Sequence, residues 1–248
     1  MNAEFKVIIL AIFDDTDFAN KAMTDIHGKP MIQHVFESAR EAGATEIVIA
    51  TDNTRVGMNA EDFGANVCMI VDDDLKGLSR MAEVVDKMDW SDDTIVVTLP
   101  GDAPLLPGSL IKQVAENLIE QTDAECSALY SLVSHDIVVE ESTVASIVDI
   151  KGNVMYLSRN PVPFHITDEI LSAEYKCIID IYAYRACLLR IYRDLPSSKL
   201  DRAENIDELR ILFNGIKMHA AEASKKIGQR VIKLEDVEKV KDKISPNH

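Results

Sequence analysis

Four short runs of β-branched and other apolar residues, each followed by a stretch of helical periodicity, constrain this chain more than any other feature. FKVIILAIF (Phe5–Phe13), EIVIAT (Glu46–Thr51), NVCMIV (Asn66–Val71) and TIVVTL (Thr94–Leu99) are too continuous in Val, Ile and Leu to leave one face in water. Strands of that kind belong to a parallel sheet covered by helices on both sides. The intervening segments Pro30–Ala42, Arg55–Phe63, Lys76–Met88 and Pro107–Gln121 have helical apolar spacing, and the last begins on a proline, which suits an early helix position. In such sheets ligands bind beyond the carboxyl ends of the strands. That directs attention to the loops after Phe13 and Val71 and to the turn after Leu99.

The pattern changes after Ala124. ECSALYSLV, TVASIVDI, NVMYLS and YKCIIDIYAYR are strand-like, and the helices between them drop out. They predict an antiparallel extension of the sheet over about residues 124–185. Helices are then expected over Arg185–Arg193 and Arg202–Phe213, a strand over Lys217–Ala223 and a last helix over Glu235–Lys243. The fold class is therefore α/β, a mainly parallel mixed sheet flanked by helices, and residues 1–248 read as one domain.

Charge and cysteine content narrow the function classes. The chain carries 26 basic and 42 acidic residues, a formal net charge of −16, which disfavours nucleic acid and anionic membrane as partners. An acidic protein can still hold a nucleotide if its site is locally basic. No apolar run approaches the roughly 20 residues of a membrane span, and VIILAIF lacks the basic flank of a signal segment. A cytoplasmic protein is expected. The four cysteines have no Cys-x-x-Cys spacing and read as reduced, buried apolar residues.

A family resemblance rests on residues spread along the whole chain. GKPMIQHVFESAREAGATEIVIATD (Gly28–Asp52), VCMIVDDDLKGLSRMAEVV, GDAPLLP, YLSRNPVP, DIYAYR and IDELRILFNGIKMH resemble, in order and without gaps inside each block, the landmarks of CMP-Kdo synthetases, a family of cytidylyltransferases. The likeness spans about residues 5–243 and implies a nucleotidyltransferase-like domain. It also implies a reaction in which the hydroxyl of Kdo, an acidic eight-carbon sugar of lipopolysaccharide, attacks the α-phosphate of CTP with help from magnesium. Catalysis of that kind consists of positioning and charge neutralisation.

The same alignment shows which site positions are kept. The family's first loop, P-A-R-Y-x-S-T-R-L-P-G-K, is LAIFDDTDFANK here. Ile12 and Asp17 stand at its arginines, and Lys21 survives. Asp14, Asp15 and Asp17 read either as hostile to a phosphate or as a solvated turn. A carboxylate about 5 Å from a phosphate charge costs about 3 kcal/mol at an effective dielectric near 20. The second loop, H-Q-S-G-T-E-R, is DLKGLSR, keeping Gly77 and Arg80 and adding Lys76. The third, Q-G-D-E-P, is Pro100–Pro104, keeping Asp102, the residue that the resemblance makes a magnesium ligand. A second magnesium aspartate falls at Ile232. On the sugar side the family's lysine is Ala145. Its R/K-H-L-G-I-Y is CIIDIY, so Ile178 stands at its histidine and Asp180 at its glycine. Arg159 and Glu204 are retained, and Asp207 also matches in type.

The resemblance thus implies Lys21 and Asp102 as residual catalytic residues, with Asp102 the metal ligand. It implies Lys21, Lys76, Gly77 and Arg80 as residual nucleotide contacts, and Arg159 and Glu204 as residual sugar contacts. The replacements lie in ligand-facing loops. They favour a catalytically impaired member that acts as a binding or regulatory subunit, as a homodimer or paired with an active paralogue. The alternative is an active magnesium-dependent enzyme forming CMP-Kdo or a related CMP-sugar, so the cofactor is magnesium or none. For the apolar strand YKCIIDIYAYR two placements are open: a dimer surface or a central strand of one subunit.

Overall fold

A computed structural model describes residues 4–12, 21–70, 77–140, 142–165 and 174–244. The aspartates of the first loop and Lys76 lie outside them. Strands β1 (Lys6–Leu10), β4 (Glu46–Thr51), β5 (Asn66–Met69) and β6 (Ile95–Pro100) form the parallel half of the sheet. A two-residue pair, β2 (Asp25–Ile26) and β3 (Lys29–Pro30), precedes the first helix and had no signal in the sequence. The full order is β11-β7-β10-β6-β1-β4-β5, with β7 (Cys126–Val133), β10 (Tyr175–Arg185) and β11 (Met218–Glu222). The hairpin of β8 (Ala145–Val148) and β9 (Val154–Ser158) joins through a β8–β10 pairing. Strand β10 runs antiparallel to both β6 and β7, which supplies the expected antiparallel extension.

The helices sort to two faces because neighbouring strand residues point opposite ways. Val7 and Ile9 of β1 pack in one apolar cluster with α1 (Met31–Glu41), α2 (Thr54–Asp62) and α4 (Gly108–Glu120). Ile8 packs in the other with α3 (Leu78–Lys87) and α6 (Ala186–Ile191). Each of these strand residues is fully buried. A short helix α5 (His135–Val138) interrupts the extension, where no helix was expected.

One expectation needs correcting, and one open choice is resolved. The helix expected over Arg202–Phe213 is two helices, α7 (Lys199–Glu204) and α8 (Asp207–Phe213). Asn205 between them adopts φ 51°, ψ 51°, the left-handed conformation that ends a helix and that asparagine tolerates better than most residues. Ser198 and Asp201 close a capping box at the start of α7. Of the two placements open for YKCIIDIYAYR, the central one is found. β10 lies between β7 and β6, so its apolar content is covered within the subunit and no longer argues for a dimer.

The last helix, α9 (Leu234–Lys241), packs Val237 and Val240 against Ile26, Met31 and Val231. Among the described residues no helix is long and apolar enough to cross a membrane. All four cysteines are free thiols. Cys68, Cys126 and Cys177 are buried, and burial pushes the Cys177 thiol up to about 11, away from thiolate chemistry.

Gly108 opens α4 where it meets α1. A Cβ there would lie 2.8 Å from the Ser38 carbonyl oxygen and 3.1 Å from the Ala42 nitrogen, both backbone atoms that cannot step aside. Gly108→Ala is expected to lower stability by about 1–3 kcal/mol, the usual cost of overpacking. Urea unfolding is the check, with the midpoint falling at unchanged slope.

Candidate functional site

The carboxyl ends of β1 and β6, with the middle of the antiparallel strand β10 beside them, border a cavity of roughly 600 Å³. Its floor includes Leu10, Thr98 and Tyr182, and Arg80, Asp180, Asp207, Glu208 and Arg230 stand around it. A second hollow of roughly 440 Å³ lies near Lys6, Thr94 and Ile95, the starts of β1 and β6. That is the end at which sheets of this kind do not bind ligands.

Asp102 follows β6 in the turn Gly101–Pro104. Its side chain is only 6% exposed, and both carboxylate oxygens are taken. Lys21 Nζ donates to Oδ2 at 2.8 Å. Arg230 meets Oδ1 through Nε at 2.8 Å and Nη2 at 2.7 Å. Arg230 Nη1 donates in turn to Asp180 Oδ2. The four side chains form a chain of alternating charge, Lys21–Asp102–Arg230–Asp180. Burial works against the charge of Arg230, but Asp180 and Asp102 prevail and hold it more firmly protonated than usual.

Two local features deliver these partners. Arg230 lies in the segment between β11 and α9. Gly228 lets that segment press on Leu105, since a Cβ there would lie 2.2 Å from the Leu105 Cβ. The Val231 N–H donates to the Asp102 carbonyl at 2.9 Å and anchors the backbone beside Arg230. Asp180 sits where the β10–β7 register shifts, between Ile179 and Tyr182. Irregularities of that kind re-aim a side chain.

A magnesium ion does not fit these residues. Both oxygens of Asp102 already face protein cations, and Ile232, at the second ligand position implied by the resemblance, offers no side-chain donor atom. Among the described residues no three His, Cys, Asp or Glu side chains are grouped to hold a metal. Divalent magnesium wants carboxylates free to face it.

The remaining expected residues divide. Gly77 precedes α3 at φ 50°, and the Asp207 carboxylate occupies the helix start there, Oδ2 accepting from the Leu78 N–H at 3.0 Å. Oδ1 of the same group accepts from Tyr192 at 2.8 Å. Arg80 has a buried Nε–H that finds no hydrogen-bond partner among the described residues. Arg159 and Glu204 are brought together, but by contacts within the protein. Glu204 accepts from Ser158 Oγ at 2.9 Å and the Arg159 N–H at 2.8 Å, while Arg159 Nε donates to the Glu204 carbonyl at 2.7 Å. These bonds tie β9 to the end of α7. Ala145 and Ile178 pack into apolar clusters.

Sequence reading missed Arg230, Asp180 and Glu208. Glu208 is buried and accepts from Tyr184 Oη at 2.6 Å. Burial, with Asp207 adding to it, raises its carboxyl from 4.5 to about 7 despite that bond.

A family model described as Cytidylyltransferase matches residues 6–227. The chain is 38% identical over 245 residues to a 3-deoxy-manno-octulosonate cytidylyltransferase of Coxiella burnetii (strain RSA 331 / Henzerling II), covering 96% of this chain and 98% of that one. A solved structure of CMP:2-keto-3-deoxy-manno-octonic acid synthetase complexed with CTP superposes with a TM-score of 0.88 at 31% identity, covering 96% of this chain and 97% of the other. A glucose-1-phosphate thymidylyltransferase from Bacillus anthracis, TM-score 0.67 at 18% identity and 97% and 96% coverage, shares the fold.

Two outcomes follow from this geometry. A Cβ on residue 77 would lie 1.7 Å from Asp207 Oδ2, so Gly77→Ala should cost about 2–4 kcal/mol in urea unfolding, from the clash and the unfavourable φ together. Glu208 gives a pH dependence. Its folded pKa is raised, so the folded state binds the extra proton, and stability falls as pH rises from about 4.5 to about 7 and stays lower above that. Glu208→Gln keeps an acceptor for Tyr184 and removes the ionisation. Melting curves of the variant should lack this fall, and at pH 8 it should exceed the native protein by up to about 3 kcal/mol.

Proposed function

This chain belongs to the cytidylyltransferase family, among its CMP-Kdo synthetase-like members, and from that premise we propose that it is a member impaired in metal-assisted cytidylyl transfer, serving as a binding or regulatory subunit. The observation that carries the proposal is the state of Asp102. Both of its oxygens are neutralised by Lys21 and Arg230, so the position that would serve a metal is spent on protein cations. Ile12 at an arginine position, Ile232 at the metal position and Ala145 at the sugar position remove further polar contacts. Each such loss is worth about 2 kcal/mol or more of transition-state stabilisation. A cavity remains, and the Arg80 Nε–H, without a partner among the described residues, is available to a small polar ligand. The proposal includes a cytoplasmic location and a homodimer or a pairing with an active paralogue. Leu132, Ile137 and Val139, exposed on and after β7, favour such contact.

Retention of Lys21, Gly77, Arg80 and Asp102 favours a second reading, an active magnesium-dependent enzyme forming CMP-Kdo or a related CMP-sugar from CTP for lipopolysaccharide biosynthesis. A pyrophosphate-release assay with CTP, Kdo and magnesium separates the two. The proposal expects no turnover approaching about one per second, an ordinary enzyme rate; turnover at that level establishes the second reading. Reverting Ile12→Arg, Asp17→Arg and Ile232→Asp together with Arg230→Gly, which frees Asp102, is expected to bring CTP binding into the range of calorimetry.

A further inference from the structure

The cluster that excludes magnesium is itself organised like a metal site. Two carboxylates from separate strands, Asp102 after β6 and Asp180 in β10, converge on one cation, and that cation is the Arg230 guanidinium. Asp102 is held through two nitrogens at 2.8 and 2.7 Å and Asp180 through a third. The fork of the guanidinium matches paired carboxylates in a way that a lysine cannot. The side chain does not drop in from a loose loop. Gly228 against Leu105 and the Val231 N–H on the Asp102 carbonyl fix the backbone on either side of it. Asp180 complements it: an acid in an otherwise apolar stretch of strand, at the register shift, with Arg230 as its ion-pair partner.

We propose that Arg230 is a built-in replacement for the divalent cation, holding Asp102 and Asp180 as an ion would and making the cavity independent of metal. Resting on the reading above, this role also narrows the ligand class. Among the described residues, three arginines line the cavity, Arg80, Arg159 and Arg230, against three acids, Asp180, Asp207 and Glu208. With Glu208 partly protonated near neutral pH, the formal balance of this lining lies between 0 and +1, too small a surplus for a polyphosphate. The cavity suits a polar small molecule with at most one negative charge, met by Arg80.

The test uses the full chain and divalent ions as the probes. Thermal melts are run in chelator and in millimolar magnesium at matched ionic strength, and manganese binding is read by electron paramagnetic resonance. The native protein should melt identically in both solutions and bind no manganese at this site. Arg230→Ala leaves Asp102 with Lys21 alone. It should melt lower in chelator, recover with magnesium in a saturable way, and bind manganese at least about tenfold more tightly than the native protein. Adding Asp102→Asn should abolish both effects. Arg230→Gln, closer in shape, serves the same comparison if the alanine variant does not fold. Asp102-dependent manganese binding by the native protein overturns the proposal, and so does an Arg230 variant indifferent to both ions, because a merely structural arginine predicts that indifference. The pyrophosphate assay judges the underlying reading separately: native turnover sinks that reading, whereas an indifferent variant sinks only the role given to Arg230.

Discussion

A carboxylate taken out of water must be paired, hydrogen-bonded or protonated, and Asp102 is the place where this chain meets that demand most directly. Its side chain is almost wholly buried at the end of the central strand β6. Removing one partner from a buried ion pair commonly costs about 3–5 kcal/mol, because the survivor is left uncompensated. Lys21 arrives from the segment after β1 and Arg230 from the segment before α9, so the pairing closes the carboxyl end of the sheet from both sides. Val231 then buries against Ile26 and Met31, and α9 follows in register. The placement of the C-terminal helix is in this sense tied to one buried charge.

The second device is the use of acids as structural acceptors around the cavity. Asp207 caps α3 from another helix, Glu208 receives the Tyr184 hydroxyl, and Glu204 gathers Ser158 and the Arg159 backbone. Three carboxylates within five consecutive residues thus serve three different elements. The cap accounts for Gly77: the residue before α3 must leave room for the Asp207 carboxylate. A glycine that the resemblance places in a nucleotide loop is here demanded by packing inside the protein.

Much of the fold was legible because hydrophobic period follows from burial. Val7, Ile8 and Ile9 alternate between the two apolar clusters, and the strands and helices of the parallel half lie within a few residues of where periodicity puts them. The break at Asn205 was hidden because the flanking residues keep helical spacing and only the backbone angle reveals the stop. The site was less legible. Asp102 and Lys21 could be found by likeness to a motif, but their pairing joins positions 81 apart in sequence. Arg230 reaches Asp102 across 128 positions and Asp180 across 50. The available signal was Asp180 itself, an acid inside CIIDIY that needed a partner. Sequence type also cannot distinguish an acid that binds sugar from one that caps a helix, which is why Glu204 and Asp207 looked like ligands.

The salt-bridged chain also bears on how such a protein changes by single mutations. Removing Arg230 alone leaves Asp102 short of charge, and removing Asp102 alone leaves two cations facing each other in a confined space. Restoring a carboxylate at position 232 while Arg230 stays in place adds an acid beside a cation that is already satisfied. Each first step toward a metal-binding arrangement therefore passes through a less stable protein, and the positions are coupled rather than additive. Under the proposed reading the Arg230–Asp180 pair works as a ratchet: with both in place, the path to a metal-binding arrangement lies across a valley in stability.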